Sequence, residues 1–591
     1  MSRPIEDYAL IGDGNTAALV SRDGSIDWLC WPRFDDDACF AALLGTSDNG
    51  CWKLSPVARI KRQARHYQHD TMIMESDFEV GEGAVRVTDF MPVGDGPSSV
   101  VRMVTGLRGV VKMRCELRLR FNYGELPPLI ERIGDAIQAR IGPDRVLLRT
   151  AIEMEAADGM LHARFQVGAG ESVSFAMIYT RAHQAPPKPL DVHCALHKTQ
   201  RFWRNWIAQF DDSRTAWPQA VRRSLLTLKT LMHHRTGAII AAPTTSLPEA
   251  PGGELNWDYR YAWLRDTSFA MVALLNAGYH EEARAWRNWL LRTIATSPER
   301  SRIMYRVDGG RHLPEWEIDW LQGHRYAKPV RVGNAAGGQH QLDVLGEVID
   351  CLDVARRGGL DPADQEDLIE TCIVEHLEKV WRLPGAGIWE SRGELRHYTY
   401  SRVMVWVALD RFLKHRAAER DLSPLVQRMT SLREHIHDEV LREGWNEGLG
   451  SFTQYYGGEE LDASLLLMPL VGFLPADDPR MASTIERIRN DLCEDGLIRR
   501  RARQPGDSNE GTFLACSCWM ADCLNLQGRT EQARQQFERA LATANDVGLL
   551  SEQYNAQRHE LAGNFPQALS HLAVINTALG LCGRTLQRGG G

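Results

Sequence analysis

The sequence lacks the features that mark several large classes of protein. It contains no run of roughly 18 apolar residues, the length that a membrane-spanning helix requires. It also contains no long block of Lys and Arg, and its formal net charge is -8. A surface that binds nucleic acid or an anionic membrane needs clustered positive charge. We therefore expect no nucleic acid and no membrane as partner, and a small neutral molecule as the ligand.

Signals for secretion, disulfide bonding and metal binding are missing as well. The first residues, MSRPIEDYALIGDG, show no basic start followed by an apolar stretch. The 12 cysteines are scattered, without paired CxxC motifs, and no HExxH sequence occurs. We expect a cytoplasmic protein with buried free thiols and no bound metal. The oligomeric state stays open, a homo-oligomer included.

The composition is otherwise ordinary for a globular protein, with 43% hydrophobic and 25% charged residues. Residues 1–194 show the period of strands. In Lys112–Phe121, apolar and charged side chains alternate, which is typical of a strand with one buried face. Many short strands without helices between them predict an antiparallel β-sandwich domain over 1–194.

The period changes to that of helices near residue 195. We predict a linking helix over 195–213 and a helical domain over 214–591 with twelve helices. Short and long connections alternate between these helices, which predicts a closed double ring of six helical hairpins; an irregular solenoid is the alternative. All long loops would lie on one face, where functional sites concentrate. The long loops are 235–265, 298–338, 383–398, 444–460, 492–510 and 546–563.

The first long loop and the start of the next helix carry the run NWDYRYAWLRD, Asn256–Asp266. Aromatic faces can stack on a pyranose ring, and Arg and Asp can hold vicinal hydroxyls by charge-assisted hydrogen bonds. The run therefore indicates a sugar site. A buried aromatic belt, with Arg265 and Asp266 as a structural ion pair, fits the same residues.

Two glutamates in other long loops suggest acid–base chemistry. Glu390 follows Trp389, and burial beside an indole raises a carboxyl pKa, as a general acid requires. Glu552, in the last long loop, could serve as a general base on water. Glycoside hydrolysis needs such a pair, held about 6.5–9.5 Å apart in an inverting enzyme. Each glutamate is equally compatible with a solvated loop position, so the residues alone leave both interpretations open.

Several longer motifs occur together and in order. They are IGDGNTAALVSRDGSIDWLCWPRFD (Ile11–Asp35), APTTSLPEAPGGELNWDYRYAWLRD (Ala242–Asp266), KPVRVGNAA (Lys328–Ala336), GIWESRG (Gly387–Gly393), EELDASLLLMPLVGFLP (Glu459–Pro475) and LSEQY (Leu550–Tyr554). On these motifs the chain resembles glycoside hydrolase family 15, the glucoamylase-like family, over essentially its whole length. The resemblance implies a super-β-sandwich followed by an (α/α)6 barrel, and hydrolysis of α-glucosides with inversion. This chemistry needs no cofactor.

The resemblance also implies roles for individual residues. Glu390 matches the general acid of the family and Glu552 its general base. Arg265 and Asp266 match residues that hold hydroxyls of the innermost glucose. The other implied substrate-binding residues are Tyr261, Trp263 and Trp389 as pocket walls, and Arg325, Arg331 and Asn334 on the second long loop, where structural roles are the alternative.

One departure from the family pattern bears on the substrate. Starch-degrading members usually carry a second Glu directly after the acid, and here that position is Ser391. The leading hypothesis is an exo-acting glucoamylase-like enzyme that releases β-D-glucose from the non-reducing end of small α-glucosides. An α,α-trehalase of the same family is the alternative. A glycoside phosphorylase is more remote, because the Glu552 carboxylate would repel phosphate, and both glutamates argue against a catalytically inactive sugar sensor.

Overall fold

The N-terminal part of the chain folds into two antiparallel sheets. The computed structural model describes residues 3–295, 297–503, 510–583, 586 and 588. The strands are β1 Tyr8–Gly12, β2 Ala17–Ser21, β3 Ser25–Cys30, β4 Ala38–Phe40, β5 Cys51–Pro56, β6 Arg62–Tyr67, β7 Met74–Glu79, β8 Gly83–Phe90, β9 Ser99–Arg118, β10 Leu129–Ile133, β11 Ala136–Ile141, β12 Asp144–Thr150, β13 Glu155–Ala157, β14 Met160–Gly168 and β15 Ser172–Arg181. The predicted sandwich is confirmed.

Strand β9 belongs to both sheets. Its first half pairs with β8 and β15, and its second half pairs with β5 and β14. The sequence pattern predicts a strand over 112–121, and a second apolar stretch, Val100–Leu107, predicts a separate strand before it. The structure joins them, because a positive φ at Gly109 and a bulge against Ala84 turn the strand without ending it. The predicted alternation holds, since Met113 and Cys115 are buried while Lys112 is exposed.

Twelve helices follow the one-turn α1 (Phe121–Gly124) and the linking helix α2 (Val192–Ile207). They are α3 Pro218–Leu231, α4 Thr267–Asn276, α5 His280–Ile294, α6 Asp343–Arg357, α7 Glu366–Val380, α8 Thr399–Ala418, α9 Pro424–Glu443, α10 Leu467–Leu470, α11 Pro479–Asp491, α12 Leu514–Leu526, α13 Thr530–Leu541 and α14 Ala568–Gly580. The even-numbered helices from α4 to α14 form an inner ring, which closes where α14 packs on α4. The predicted (α/α)6 barrel is confirmed.

The inner and outer helices differ in burial. All ten residues of α4 are buried, whereas α11, in the outer ring, buries four of its 13 residues. Helix α10 is a single turn that follows a 3₁₀ turn, Ala463–Leu466. It is shorter than the predicted 461–470 because Pro469 cannot continue a regular hydrogen-bond ladder. Within the described residues, no helix combines the length and the apolar character needed to cross a bilayer.

The sandwich packs directly on the barrel. The Trp28 indole donates a buried hydrogen bond of 2.7 Å to the carbonyl of Pro243, in the first long loop. The Arg260 guanidinium of the same loop donates to the Tyr123 hydroxyl at 2.8 Å. One apolar core runs through both parts without interruption. The twelve cysteines are free thiols, and Cys516 and Cys523 are buried as predicted. The domain boundaries at 194 and 213 stay predictions.

Candidate active site

A cavity of about 400 Å³ opens at the end of the inner ring where the long loops lie. Five of the six predicted long loops contribute to its wall. The lining residues are Glu249, Leu255, Trp257, Tyr259, Arg265, Ala386, Trp389, Glu390, Ser391, Arg392, Gly393, Glu394, Arg396, Tyr398, Gln454, Tyr455, Glu460, Arg500, Arg501, Phe513 and Glu552. Glu390 and Glu552 therefore face one space.

A tight loop between α7 and α8 presents Glu390. The loop turns at Gly387, whose φ is +70° and where a Cβ would lie 2.8 Å from the Tyr398 ring, so that only glycine fits. Glu390 itself has φ +58°, in the left-handed region that side chains other than glycine rarely adopt. The Gln339 side-chain amide donates to the carbonyls of both Glu390 and Ser391 at 3.1 Å. These contacts fix the loop at the pocket wall.

The Glu390 carboxyl is bonded through one of its two oxygens. Oε1 accepts hydrogen bonds from the Trp263 indole at 2.6 Å and from Arg265 Nη1 at 2.9 Å. In the part of the chain that the structure describes, Oε2 has no hydrogen-bond partner. This arrangement orients the carboxyl and leaves one oxygen able to carry a proton.

Arg265 also bonds the residue beside it. Its Nε donates to Asp266 Oδ1 at 3.1 Å, and its Nη1 donates to the Ile388 carbonyl at 3.1 Å. Burial raises the pKa of the Asp266 carboxyl, and the Arg265 guanidinium opposes this shift. Arg265 lines the cavity and Asp266 lies behind it, just before α4. Arg265 and Asp266 therefore form an ion pair, and Arg265 also lines the pocket.

Glu552 is placed by a small three-stranded sheet with one strand before α12 and two after α13. The sheet pairs Thr512–Phe513, Gln553–Asn555 and Glu560–Ala562. Gly563 passes over the carboxyl with φ +75°, and a Cβ there would lie 2.6 Å from Glu552 Oε2. Glycine is therefore required opposite this glutamate.

The Glu552 carboxyl is buried and only partly bonded. Oε1 accepts a hydrogen bond of 2.8 Å from the Tyr259 hydroxyl, whereas Oε2 has no partner among the described residues. Burial raises the pKa of Glu552 to about 7, although the Arg500 guanidinium and the bond from Tyr259 act to lower it. The Tyr259 ring also packs edge-on against Trp263, with centroids 5.2 Å apart, so an aromatic pair connects the two glutamates.

A further carboxyl lies beside Glu552. Glu249, from the first long loop, is 2% exposed and forms an ion pair with Arg500, which also pairs with Glu510. The Gln553 amide donates to the same Glu249 oxygen at 2.8 Å. Burial raises the pKa of Glu249 well above its usual range, in spite of Arg500. We call Glu249, Arg500, Glu510 and Glu552 the pocket cluster.

Trp389 forms part of the cavity wall and is fixed from behind. Its indole donates to both oxygens of Asp462, at 2.9 and 3.0 Å, and its ring stacks on Trp519 with centroids 6.2 Å apart. Asp462 also accepts a bond of 2.9 Å from the Gln454 amide. The indole face is thereby held against the pocket, as stacking on a sugar ring requires.

Comparison with known proteins decides the family. A family model described as "Glycosyl hydrolases family 15" matches residues 217–579, and one described as "Trehalase-like, N-terminal" matches residues 1–165. The chain belongs to glycosyl hydrolase family 15. As a family 15 protein it is a glycoside hydrolase.

Full-length relatives support the same assignment. The chain is 36% identical to a trehalase of Mycobacterium tuberculosis, over 98% of this chain and 89% of the relative. It is 33% identical to a trehalase of Thermoplasma volcanium, over 97% of this chain and 93% of the relative. A solved bacterial glucoamylase, complexed with acarbose, shares the fold with a TM-score of 0.74 and 12% identity, over 98% and 95% of the two chains.

Besides Asp266, which lies behind Arg265, five predicted substrate-binding residues do not line the cavity of this family 15 protein. The Tyr261 hydroxyl is turned to Asp258, 3.3 Å away, in the buried interior. Arg325 forms an ion pair of 2.8 Å with Glu560. Their side chains are satisfied by protein groups away from the pocket, so neither is a pocket wall.

The other three lie near the wall without forming it. The Arg331 guanidinium stacks at 4.4 Å on the ring of Trp257, which does line the cavity, and bonds backbone carbonyls. Asn334 is buried, accepts from the amide of Ala336 and donates to a backbone carbonyl. Both act as structural supports. Trp263 is likewise behind the wall, where its indole bonds Glu390.

Sequence reasoning missed Glu249, Tyr259, Asp462 and Arg500. The first three lie inside motifs that were identified, but nothing in a motif indicates which acidic side chain is buried beside Glu390 and Glu552. Arg500 stands in a long loop without aromatic neighbours in sequence. The signal that could have found them is the excess of charged residues in loops that share one face.

One group of side chains in the described residues has the spacing of a metal site. Asp367, Glu370 and His415 lie at the ends of α7 and α8, at the short-loop end of the barrel. Arg356 Nη1 is 2.7 Å from Glu370 Oε1, so a guanidinium already compensates the buried carboxylate. We assign no metal to this group.

Proposed function

We propose that this family 15 hydrolase is an α,α-trehalase that acts with inversion. The observation that carries the proposal is the identity of 33 to 36% with proteins named trehalase, over nearly the whole of each chain. The trehalase-like model matched at the N-terminus supports it. These similarities favour trehalase over the glucoamylase-like enzyme that the sequence motifs first suggested.

The pocket suits a disaccharide. Its volume of about 400 Å³ lies toward the small end of the range for ligand sites. Beyond Glu390 the wall consists of Ser391, Arg392, Glu394 and Arg396. These side chains offer donors and acceptors for the hydroxyls of a second glucose. Ser391, which replaces the glutamate usual in starch-degrading members, leaves more room beside the acid.

The reaction follows from the two glutamates. Glu390, protonated on Oε2, would donate to the oxygen between the two anomeric carbons as one C–O bond breaks. Glu552, ionised, would accept a proton from the water that attacks that carbon from the opposite face. Arg265 would hold a hydroxyl of the glucose that becomes the oxocarbenium-like centre. One proton leaves Glu390 and one arrives at Glu552, so solvent exchange must reset the pair.

Proton NMR of the anomeric signals at early times tests this proposal. Trehalose, maltose and isomaltose are compared with the purified enzyme, each with and without inorganic phosphate. We expect trehalose to be hydrolysed fastest, to α- and β-glucose in equal amounts. Equal amounts follow because the attacked carbon inverts while the leaving glucose keeps its α configuration.

The other outcomes each contradict a separate part of the proposal. Release of α-glucose alone from trehalose would indicate retention and remove the acid–base assignment. Faster turnover of maltose or isomaltose would favour the glucoamylase-like activity. Glucose 1-phosphate, formed only when phosphate is present, would identify a phosphorylase. The cytoplasmic location and the oligomeric state stay predictions.

A further inference from the structure

The pocket cluster holds more acidic groups than basic ones. Glu249, Glu510 and Glu552 lie around Arg500. Arg501 also meets Glu510, with 3.8 Å between Nη2 and Oε2, and Arg265 already pairs with Asp266 and Glu390. Two of these carboxyls, Glu249 and Glu552, are almost fully buried. The position of Arg500 therefore decides which carboxyl is compensated.

Arg500 forms ion pairs with Glu249 and Glu510 and, among the residues that the structure describes, not with Glu552. Its Nη2 pairs with Glu249 and its Nε with Glu510, while no ion pair to Glu552 is found in the described chain. The Arg500 guanidinium is also confined by aromatic rings, at 5.8 Å from the centroids of both Trp389 and Phe513. Arg500 is thus held in one orientation beside the pocket.

Glu249 is hydrogen-bonded to the strand that begins directly after Glu552. The Gln553 amide, next in sequence to Glu552, donates at 2.8 Å to the Glu249 oxygen that also meets Arg500. The second Glu249 oxygen is buried without a hydrogen-bond partner among the described residues. Glu249 thus contributes a buried carboxyl group that contacts the Arg500 guanidinium.

We propose that Glu249 is a positioning residue for the hydrolysis, which holds Arg500 and so prevents that guanidinium from pairing with the general base Glu552. An ion pair with Arg500 would make Glu552 a weaker base, because a nearby cation favours the ionised form of a carboxyl. The inference rests on the proposed role of Glu552 as the base. Glu249 does not touch the reacting atoms in this proposal. It acts by holding a positive charge, that of Arg500, away from Glu552.

The groups that face Glu552 give the sign of the effect. Arg500, Tyr259 and Arg265 lower its pKa, whereas Glu510 and burial raise it. Glu249 interacts unfavourably with Glu552, as two like charges do. Replacing Glu249 would free Arg500 to approach Glu552, and a nearer guanidinium lowers the pKa of Glu552.

The test is the acid limb of kcat/KM against pH, measured on the full-length enzyme with the sugar that it hydrolyses fastest. In Glu249→Gln we expect the limb to move to lower pH by about one unit. Above the limb, kcat should fall several-fold, because a weaker base accepts a proton less readily. Glu254→Gln, an exposed carboxyl in the same loop, is the matched control and should leave the limb in place.

A second variant covers the case in which Glu249→Gln does not fold. Arg500→Gln removes the cation, so its acid limb should move in the opposite direction, to higher pH. An unmoved limb in a folded Glu249→Gln or in Arg500→Gln would overturn the inference.

Failure of the proposed function is recognised separately. Retained turnover in Glu552→Gln would show that Glu552 is not the base. If Glu552→Gln is inactive and the limb of Glu249→Gln stays where the wild-type limb lies, the positioning role alone is wrong.

Discussion

The two ends of the helical barrel both bury charged side chains, but they balance the charges differently. At the long-loop end, the pocket cluster sets three carboxyls against Arg500, and Arg501 meets only the outermost of them, Glu510. Toward the short-loop end, Glu347, Asp350, Arg411 and Arg588, which we call the basal cluster, set two carboxyls against two guanidiniums, one of which also pairs with Asp410.

Hydrogen bonding follows the same division. The oxygens of Asp350 accept from Arg411 at 3.0 Å and from Arg588 at 2.7 Å. Those of Glu347 accept from the hydroxyls of Tyr400 and Ser268 and from Arg588. Every carboxylate oxygen of the basal cluster therefore has a donor. In the pocket cluster, Glu249 and Glu552 each keep one buried oxygen without a partner among the described residues.

The pKa values of Asp350 and Glu552 shift in opposite directions, whereas burial raises the pKa of Glu347 in spite of the Arg588 guanidinium. Burial alone would raise the pKa of Asp350, but Arg588 and Arg411 hold it below its usual range. Burial raises the pKa of Glu552 to about 7. The ionised Asp350 therefore contributes stability that is lost as pH falls through its pKa, whereas the ionisation of Glu552 lowers stability as pH rises toward 7. The compensated charge of Asp350 supports the fold, and the raised pKa of Glu552 suits the proton acceptor proposed above.

The largest expected effect is a loss of catalytic activity in variants that keep the fold. Glu390→Gln and Glu552→Gln should each lower kcat by about 10²–10⁴-fold, because each removes a proton donor or acceptor from the transition state. Initial rates on trehalose measure the loss, and circular dichroism checks the fold. Wild-type-like turnover in either variant would remove that residue from the mechanism.

A substitution in the basal cluster should lower the stability of the fold and leave the catalytic activity unchanged. Asp350→Asn removes one buried charge that two guanidiniums share, so we expect the free energy of unfolding to fall by about 3–5 kcal/mol. Denaturant titration measures it. KM and kcat below the melting temperature should stay near the wild-type values, and Asp367→Asn, on the surface, serves as the control. Equal stability of the two variants would show that the basal cluster is not a stabilising element.

A third prediction concerns the stability of the pocket end. At pH 8, the free energy of unfolding of Glu552→Gln should exceed that of the wild type by about 2 kcal/mol, and its melting temperature should be higher. At pH 5 both differences should be much smaller. The reason is that the folded wild type must ionise a buried group above its pKa of about 7. Melting curves at both pH values provide the measurement. A variant that is less stable at pH 8 would place Glu552 among the stabilising groups.

The smallest effect is expected outside both clusters. The Arg325–Glu560 pair is about one-third exposed, so Arg325→Gln should change stability by less than about 1 kcal/mol and leave KM unchanged. A tenfold increase in the KM for trehalose would indicate that Arg325 does contribute to substrate binding.

The fold could be predicted from the sequence to a large extent, because its periods are local. The change of period near residue 195 and the alternating loop lengths predicted the sandwich, the twelve helices and the face that carries the pocket. The details that failed depend on single residues. Pro469 shortens α10, and Gly109 lets β9 continue where two strands were expected.

The site was less accessible to sequence reasoning. Glu390, Glu552, Arg265 and Trp389 stand in contiguous motifs, and all four line the cavity. Glu249 and Arg500, 251 positions apart, form a pair that only the closed ring brings together. A charged loop residue far from its partner looks like a solvated one, since burial is a property of the packed structure.

The backbone conformation at Glu390 has a consequence for protein engineering. With φ at +58°, this position costs a side-chain-bearing residue on the order of 1 kcal/mol that glycine would not incur. A stability screen of random variants would therefore favour glycine at 390, and so would a design procedure that optimises folding alone. Both would discard the proposed general acid as a defect, so thermostable versions of this enzyme should be selected for turnover as well as for melting temperature.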